Sequence, residues 1–335
     1  MPDLNQTTLD TFRNKKIVIV GDLVADQYLS GTIARVSREA PVFILRHDQT
    51  DTLPGAAANA AANVASLGGQ AVAVGVVGND PNGLALLAEL KKDKVATKFV
   101  IADDGISTTT KVRILAGQKH AVRQQVIRVD YENSTPFSAA IRERLLAGLT
   151  EAASDADAII ISDYNYGVAD AELFGLAVKI AEKRRIPITV DSRFRLAAFQ
   201  NATSATPNQE EVEQLLGKGF TEADCEALRE RFGLEALLVT NGSKGMLLVE
   251  DGKPPLQIDA VGSPEAVDVT GAGDTVIAVY SLGLASGMTH AEAARTANHA
   301  GGLVVMKKGT ATVTSDELIR SLLSNDELHL SKPAA

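Results

Sequence analysis

The sequence predicts an α/β fold: a doubly wound, mostly parallel sheet with helices on both faces, plus a small antiparallel β lid. Two observations carry this. Short apolar strands alternate with helical patterns along nearly the whole chain, which implies a parallel sheet with helical layers on either side. Two stretches, 24–48 and 107–131, break that rhythm with strand-like pieces and no helix between them. Strands paired without crossover helices form antiparallel ribbons, and both excursions leave and rejoin the α/β core, so they are expected to build one lid.

Taken in order, "KKIVIVGD" (15–22) is a buried strand ending in a turn, and "GAAANAAANVASLGG" (55–69) is a helix rich in small residues. "QAVAVGVVG" (70–78) is the next strand and "NGLALLAELKK" (82–92) the next helix. "DAIIIS" (157–162), "IPITVD" (186–191) and "EALLVT" (235–240) continue the strand series. Helices are expected near 275–286 and 290–306. "PVFILRH", "TTTKVRILAG" and "AVRQQVIRVD" supply the lid strands. The whole reads as one domain over 1–325, with a mostly polar tail, 326–335, expected to be disordered.

Composition narrows the function classes. The chain has 335 residues, 45% hydrophobic and 22% charged, which is globular composition. Its net charge of −9 argues against a polyanion such as nucleic acid, while leaving room for a local basic patch that binds a phosphorylated small molecule. One cysteine, Cys225, excludes an intrachain disulfide and a multi-cysteine metal site. The N-terminus lacks the basic start and apolar core of a signal peptide, and no apolar run nears the roughly 20 residues of a membrane span. A cytoplasmic location with no membrane partner is the expectation.

The densest motif is "DVTGAGDT" (268–275), two glycines and an aspartate just before the apolar run Thr275 to Ala285. Gly271 and Gly273 let another molecule approach the main chain. The free N–H groups of a helix start form an anion site. Asp274 then puts a carboxylate beside an anion hole. Other candidates fall at strand ends, where a doubly wound sheet binds ligands: Asp22, Asp163, Asp191, Asn208 and Thr240. Each alone reads as a turn residue or helix cap; together they ring one edge of the sheet.

A P-loop is missing, and "GAGDTV" has Val276 where a dinucleotide fingerprint needs glycine. The five histidines (47, 120, 290, 299, 329) are too scattered for zinc. What remains is phosphate held by backbone N–H groups with an aspartate alongside, which suits phosphoryl transfer to a hydroxyl.

"DVTGAGD" resembles the C-terminal signature of the ribokinase-like, phosphofructokinase B-type carbohydrate kinases, and the resemblance covers nearly the whole chain. It implies ATP and Mg²⁺ as cofactors, with K⁺ as a further candidate. Asp268, Gly271, Ala272 and Gly273 take the anion-hole positions and Asp274 that of the base. "TPNQEE" matches the family's N-x-x-E element, so Asn208 and Glu211 are implied to organise the magnesium–nucleotide through water. "TNGSKG" (240–245) resembles the nucleotide turn, with Thr240, Gly242 and Gly245. "GDLVADQYLSG", "ARVSREAPV", "QQVIRVDYE" and "SDYNYG" look most like heptose 7-phosphate kinases, which phosphorylate the anomeric hydroxyl of D-glycero-D-manno-heptose 7-phosphate. Fructose phosphate, ribose or a nucleoside remain alternative acceptors, and a non-catalytic sugar- or nucleotide-binding protein is the alternative from another class.

Two departures stand out. The family's Gly-Gly pair is here Gly55-Ala56, and Tyr166 stands where heptose kinases commonly carry lysine. Asp22 and Asn59 are expected to bind sugar hydroxyls, with Gly55 allowing close backbone approach. Lys111 and Arg113 alternate with Val112 and Ile114, so both cations share one lid face that could hold a substrate phosphate; Arg35 is a further cation in reach. The exposed lid edge points to a homodimer.

Overall fold

A computed structural model describes residues 10–118, 123–133, 135–263 and 265–330, with side chains to 324. Strand β1 (Lys16–Gly21) is a short apolar run, and period-2 alternation sends Ile17 and Ile19 to one face and Val18 and Val20 to the other. Both faces meet helices, so all four side chains are fully buried.

Two strands leave β1 for the small sheet, β2 (Leu23–Val36) and β3 (Phe43–Ala56), and helix α1 (Ala57–Ser66) returns the chain to the core. Its alanines let it pack close beneath β1 and β4 (Gln70–Gly78). Helix α2 (Pro81–Lys92) is started by the Asp80 carboxylate, which accepts from the Gly83 N–H at 2.8 Å, and leads to β5 (Ala96–Asp103). The second excursion contributes β6 (Thr110–Gly117) and β7 (Gln124–Tyr131).

The chain then alternates α3 (Ala139–Ala152), β8 (Ala158–Asp163), α4 (Ala171–Arg184), β9 (Ile188–Ser192), the two-residue β10 (Ser204–Ala205), α5 (Gln209–Leu216) and α6 (Glu222–Phe232). β11 (Ala236–Thr240), β12 (Met246–Glu250) and β13 (Leu256–Ile258) follow, and helices α7 (Ala272–Ala285), α8 (His290–Val304) and α9 (Ser315–Leu330) close the chain.

The large sheet has nine strands in the order β13-β12-β11-β10-β9-β8-β1-β4-β5. Pairings are parallel except β11–β12 and β12–β13, an antiparallel edge that the alternating pattern did not reveal. Strand order reverses at β1, whose neighbours β4 and β8 lead outward in opposite directions. A crevice therefore opens beyond the carboxyl ends of the central strands, where Asp22, Asp163 and Asp191 stand.

The small sheet has the order β3-β2-β6-β7. Its outer pairs are antiparallel, as expected, but β2 and β6 run parallel, because the two excursions leave the core in the same direction. β3 also runs beyond 48, reaching Ala56 and feeding directly into α1. At the other end, α9 takes in residues 326–330, where the sequence predicts a disordered tail; 331–335 lie outside the described residues.

Candidate active site

α7 begins where the sheet crevice meets the small sheet. Gly271 is its N-cap, in the left-handed conformation at φ 78°, so the chain can turn sharply into the helix. The first-turn N–H groups of Gly273 and Asp274 have no backbone partner among the described residues and face outward, as an anion site requires. Two clefts flank this helix start and share Thr240, Val269, Ala272 and Gly273 as walls.

One cleft, about 290 Å³, is polar: Tyr164, Asp191, Arg193, Thr206, Asn208 and Glu211 line it with Gly271. The other, about 160 Å³, is largely apolar, walled by Met246, Val261, Val276 and Val305 with Gly242 and Gly245 at its rim. The pair offers a slot for a flat apolar ring beside a pocket for phosphates. Gly245 is required by packing, since a Cβ there would lie 1.9 Å from the Ile258 carbonyl oxygen.

Asp274 lies in the first turn of α7 and is 2% exposed. Its two carboxylate oxygens each accept one hydrogen bond, from Asn59 Nδ2 at 2.9 Å and from the Tyr164 hydroxyl at 2.9 Å. Burial pushes its pKa up to about 7 against the opposing pull of those donors. That lies well above the ordinary aspartate value of about 3.9.

The N-x-x-E element closes on itself. Asn208 Oδ1 accepts from the Glu211 N–H at 2.9 Å and Glu211 Oε2 accepts from the Asn208 N–H at 2.9 Å, a capping box that starts α5. Burial raises Glu211 to about 7. Desolvation, then the charges of Glu211 and Asp274, push Asp191 well above the carboxylate range. A Cβ on Gly273 would have Asp191 Oδ2 3.8 Å away, so this carboxylate stands over the anion site. Acids crowded beside an anion site fit a hydrated cation between them, and Thr206 adds a buried hydroxyl without a partner among the described residues. Among the described residues no group of three or more His, Cys, Asp or Glu side chains is arranged to hold a metal directly.

The residues expected to bind the acceptor depart from that expectation in several places. Asp22 does not face the crevice: its carboxylate accepts from the backbone N–H groups of Tyr164 (2.8 Å), Tyr166 (3.0 Å) and Val168 (3.1 Å) and so shapes the "SDYNYG" loop. The Asn59 amide is committed to Asp274, and also to the Gly271 carbonyl at 3.4 Å. Gly55 admits not a ligand but Asp26, whose Oδ2 would lie 2.4 Å from a Cβ at that position. Asp268 braces its own loop, accepting from the Thr270 N–H at 3.0 Å and the Gly309 N–H at 2.9 Å.

Arg113 is likewise taken, in a buried ion pair with Asp26. Lys111 differs. It is 8% exposed and makes no ion pair or hydrogen bond among the described residues. Its ammonium lies 5.4 Å from the ring centre of Tyr164 and 5.8 Å from that of Tyr166. Desolvation lowers its pKa, with Asp26 and Asp130 opposing. Arg35 lies far out on β2 and is exposed.

Asp26 and Tyr164 are the residues that sequence reasoning passed over. A signal for Asp26 existed: Val24, Asp26, Tyr28 and Ser30 share one face of β2 by period 2, and all four are buried. Tyr166, in the lysine position, gives its hydroxyl to Glu132 at 2.9 Å. Ala56 adopts φ 55° and ψ −129°, a conformation suited to the glycine it replaces.

A nine-stranded doubly wound sheet with a small side sheet, an anion site at a helix start and a buried aspartate beside it define a ribokinase-like sugar kinase. Solved structures agree on the fold: Arabidopsis thaliana ribokinase complexed with ribose and ATP matches with a TM-score of 0.69 at 22% identity, over 92% of this chain and 98% of that one. Escherichia coli phosphofructokinase-2 in complex with potassium matches with a TM-score of 0.73 at 19% identity, over 93% and 99%. The family model of pfkB family carbohydrate kinases matches residues 14–317, and the chain belongs to that family. It is 39% identical over 321 residues to the bifunctional protein HldE of Shewanella piezotolerans and 38% identical over 322 to that of Gluconobacter oxydans. Each match covers 94% of this chain but only 65% and 66% of those relatives' length.

Proposed function

We propose that the protein transfers the γ-phosphoryl group of ATP to the anomeric hydroxyl of D-glycero-D-manno-heptose 7-phosphate, giving heptose 1,7-bisphosphate and ADP. The observation that carries an anionic acceptor is Lys111. A buried ammonium without a carboxylate partner is costly unless something anionic sits beside it. Its charge reaches Asp274 from the small-sheet side of the site, where the phosphate of a sugar whose hydroxyl meets that base would lie. Arg193, whose charge Lys111 feels, extends the same positive region, while Arg128 is paired with Asp130. The likeness to heptose 7-phosphate kinases over the N-terminal motifs selects the sugar.

In this reading Asp274 takes the proton from the acceptor hydroxyl as its oxygen attacks the γ-phosphorus, and the bond from that phosphorus to the β-phosphate oxygen breaks. The N–H groups at Gly271, Gly273 and Asp274 hold the charge that grows on the transferring group, whereas the Ala272 N–H, expected among them, donates to the Val269 carbonyl at 3.3 Å. Thr240, Gly242 and Gly245 line the nucleotide side. Asn208 and Glu211 would hold Mg²⁺ through water, the ion supplying charge neutralisation at the phosphates; K⁺ remains a candidate activator. The small sheet acts as a lid within a single kinase domain. With Val126, Ile127 and Tyr131 exposed on its edge strand, it is the surface for a homodimer. We place the enzyme in the cytoplasm; among the described residues no helix is long and apolar enough to cross a membrane.

The test is ADP release with ATP, Mg²⁺ and a panel of heptose 7-phosphate, fructose phosphate, ribose and nucleosides. Heptose 7-phosphate should give the highest kcat/KM by at least about tenfold, a margin of about 1.4 kcal/mol. A preference for another acceptor overturns the substrate. ATP binding with no acceptor phosphorylated overturns the activity.

A further inference from the structure

The base is held by groups that come from far apart in the chain. Asn59 enters from α1 and Tyr164 from the loop after β8, and each gives one hydrogen bond to a different oxygen of Asp274. Asn59 is itself fixed: Asn63 Nδ2 donates to its Oδ1 at 3.2 Å and to its carbonyl at 3.1 Å. Asn63 Oδ1 in turn accepts from the Val313 N–H at 3.3 Å. Among the described residues no side chain other than Asp274 hydrogen-bonds Tyr164, so its placement depends on its loop. That loop is tied to β1 by the three hydrogen bonds that converge on the Asp22 carboxylate. Lys111 lies over the face of the Tyr164 ring.

We propose that Tyr164 is a positioning residue for phosphoryl transfer, its hydroxyl fixing the Asp274 carboxylate opposite Asn59, and that Asp22 serves catalysis only by holding the loop that presents it. This rests on the reading of Asp274 as the base. The charged groups around the pair are Asp26 from β2, Lys111 from β6, and Asp191 and Arg193 from β9 and the turn after it. Asp26 and Asp191 oppose ionisation of Asp274 or Tyr164, and Lys111 favours the carboxylate. The Tyr164 hydroxyl is the neutral donor among them. It remains protonated, because burial and the Asp274 charge push its own pKa well above the usual value. A donor to the charged form lowers a carboxylate's pKa, so this hydroxyl keeps Asp274 ionised near neutrality against its burial.

Carbon-13 NMR of aspartate-labelled protein, with Asp274→Asn used to assign the signal, reads the Asp274 titration without any acceptor. In Tyr164→Phe the midpoint should rise by about one pH unit, the scale of one hydrogen bond to a charged group. An unmoved midpoint overturns the proposal. The acceptor assay should then show Tyr164→Phe losing about tenfold in kcat at pH 6.5 and less than about twofold at pH 9, as a shifted base requires. A loss equal at both pH values would mean that the hydroxyl only fills space, and overturns it. If Tyr164→Phe unfolds the loop, 3-fluorotyrosine placed at position 164 keeps the shape and makes a stronger donor, so the midpoint must fall; no change is again fatal. A moved NMR midpoint with wild-type turnover at every pH would sink Asp274 as the base while leaving the clamp in place.

Discussion

The two sides of this site are made differently. At the anion site the deciding groups are main chain: Gly271 at a left-handed turn, Gly245 against the Ile258 carbonyl, and the open N–H groups at the start of α7, with side chains walling the two clefts around them. On the side toward the small sheet they are side chains from remote segments, with Asp26 and Lys111 on the small sheet, Asn59 on α1 and Tyr164 after β8. Backbone walls need particular residues at adjacent positions, so they leave a contiguous motif. Side-chain walls need only that distant segments converge. The first kind of site tolerates little steric change, and the second tolerates shape changes but not lost partners.

The largest effect expected is at Asp274, where both sides meet. Asp274→Asn keeps the shape but cannot take a proton, and should lose about 10²- to 10⁴-fold in kcat with ATP affinity held, measured by steady-state kinetics and nucleotide titration. Turnover by the wild type should fall on acidification below about pH 7, where Asp274 takes up a proton. Stability should move the opposite way. The folded pKa is raised above the unfolded one, so this group's contribution is present at low pH and is lost as pH rises from about 4 through about 7. Asp274→Asn should therefore gain in thermal stability relative to wild type between pH 5.5 and pH 8.5; a gap independent of pH would contradict the burial argument.

Gly273→Val probes the backbone side alone. The nearest atom to a Cβ there is Asp191 Oδ2 at 3.8 Å, so the fold should survive while the side chain fills the phosphate cleft. Turnover should drop by at least about 10²-fold, the cost of disabling an oxyanion-type site. Normal turnover would remove this loop from the mechanism.

Lys111 and Arg113 test the side-chain side against itself. Arg113→Ala leaves Asp26 buried and unpaired and should cost about 3–5 kcal/mol in urea unfolding. Lys111→Ala removes no ion pair, so it should leave stability within about 1 kcal/mol and raise KM for a phosphosugar by about tenfold or more while sparing KM for ATP. If both variants behave alike, the distinction between a structural and a ligand-facing cation is wrong.

The smallest effect is at Ala56. An alanine at φ 55° and ψ −129° carries strain of about 1–3 kcal/mol, so Ala56→Gly should raise stability by about 1 kcal/mol, although glycine is usually destabilising. A melting temperature lowered by the change would show that the methyl group's packing outweighs the strain.

Much of this molecule was present in the sequence. The alternation of apolar strands and helices determined the doubly wound sheet, because a strand buried on both faces cannot hide its polarity pattern: β1, β4, β8, β9 and β11 all fall within two residues of their expected bounds. "DVTGAGDT" determined the start of α7 and the carboxylate beside it, since glycine and a helix start act locally. Partners did not follow from position. The sequence places Asp22, Asn59 and Arg113 where each is expected to reach a ligand, yet each ends on a chain group 87 to 215 residues away. The elevated pKa of Asp274 was equally invisible, being a property of what surrounds the carboxyl group. Hydrogen bonding and desolvation act between atoms that only the folded chain brings within a few ångströms, so tertiary structure alone decided which carboxylate holds a loop, which holds a cation, and which is buried with a raised pKa.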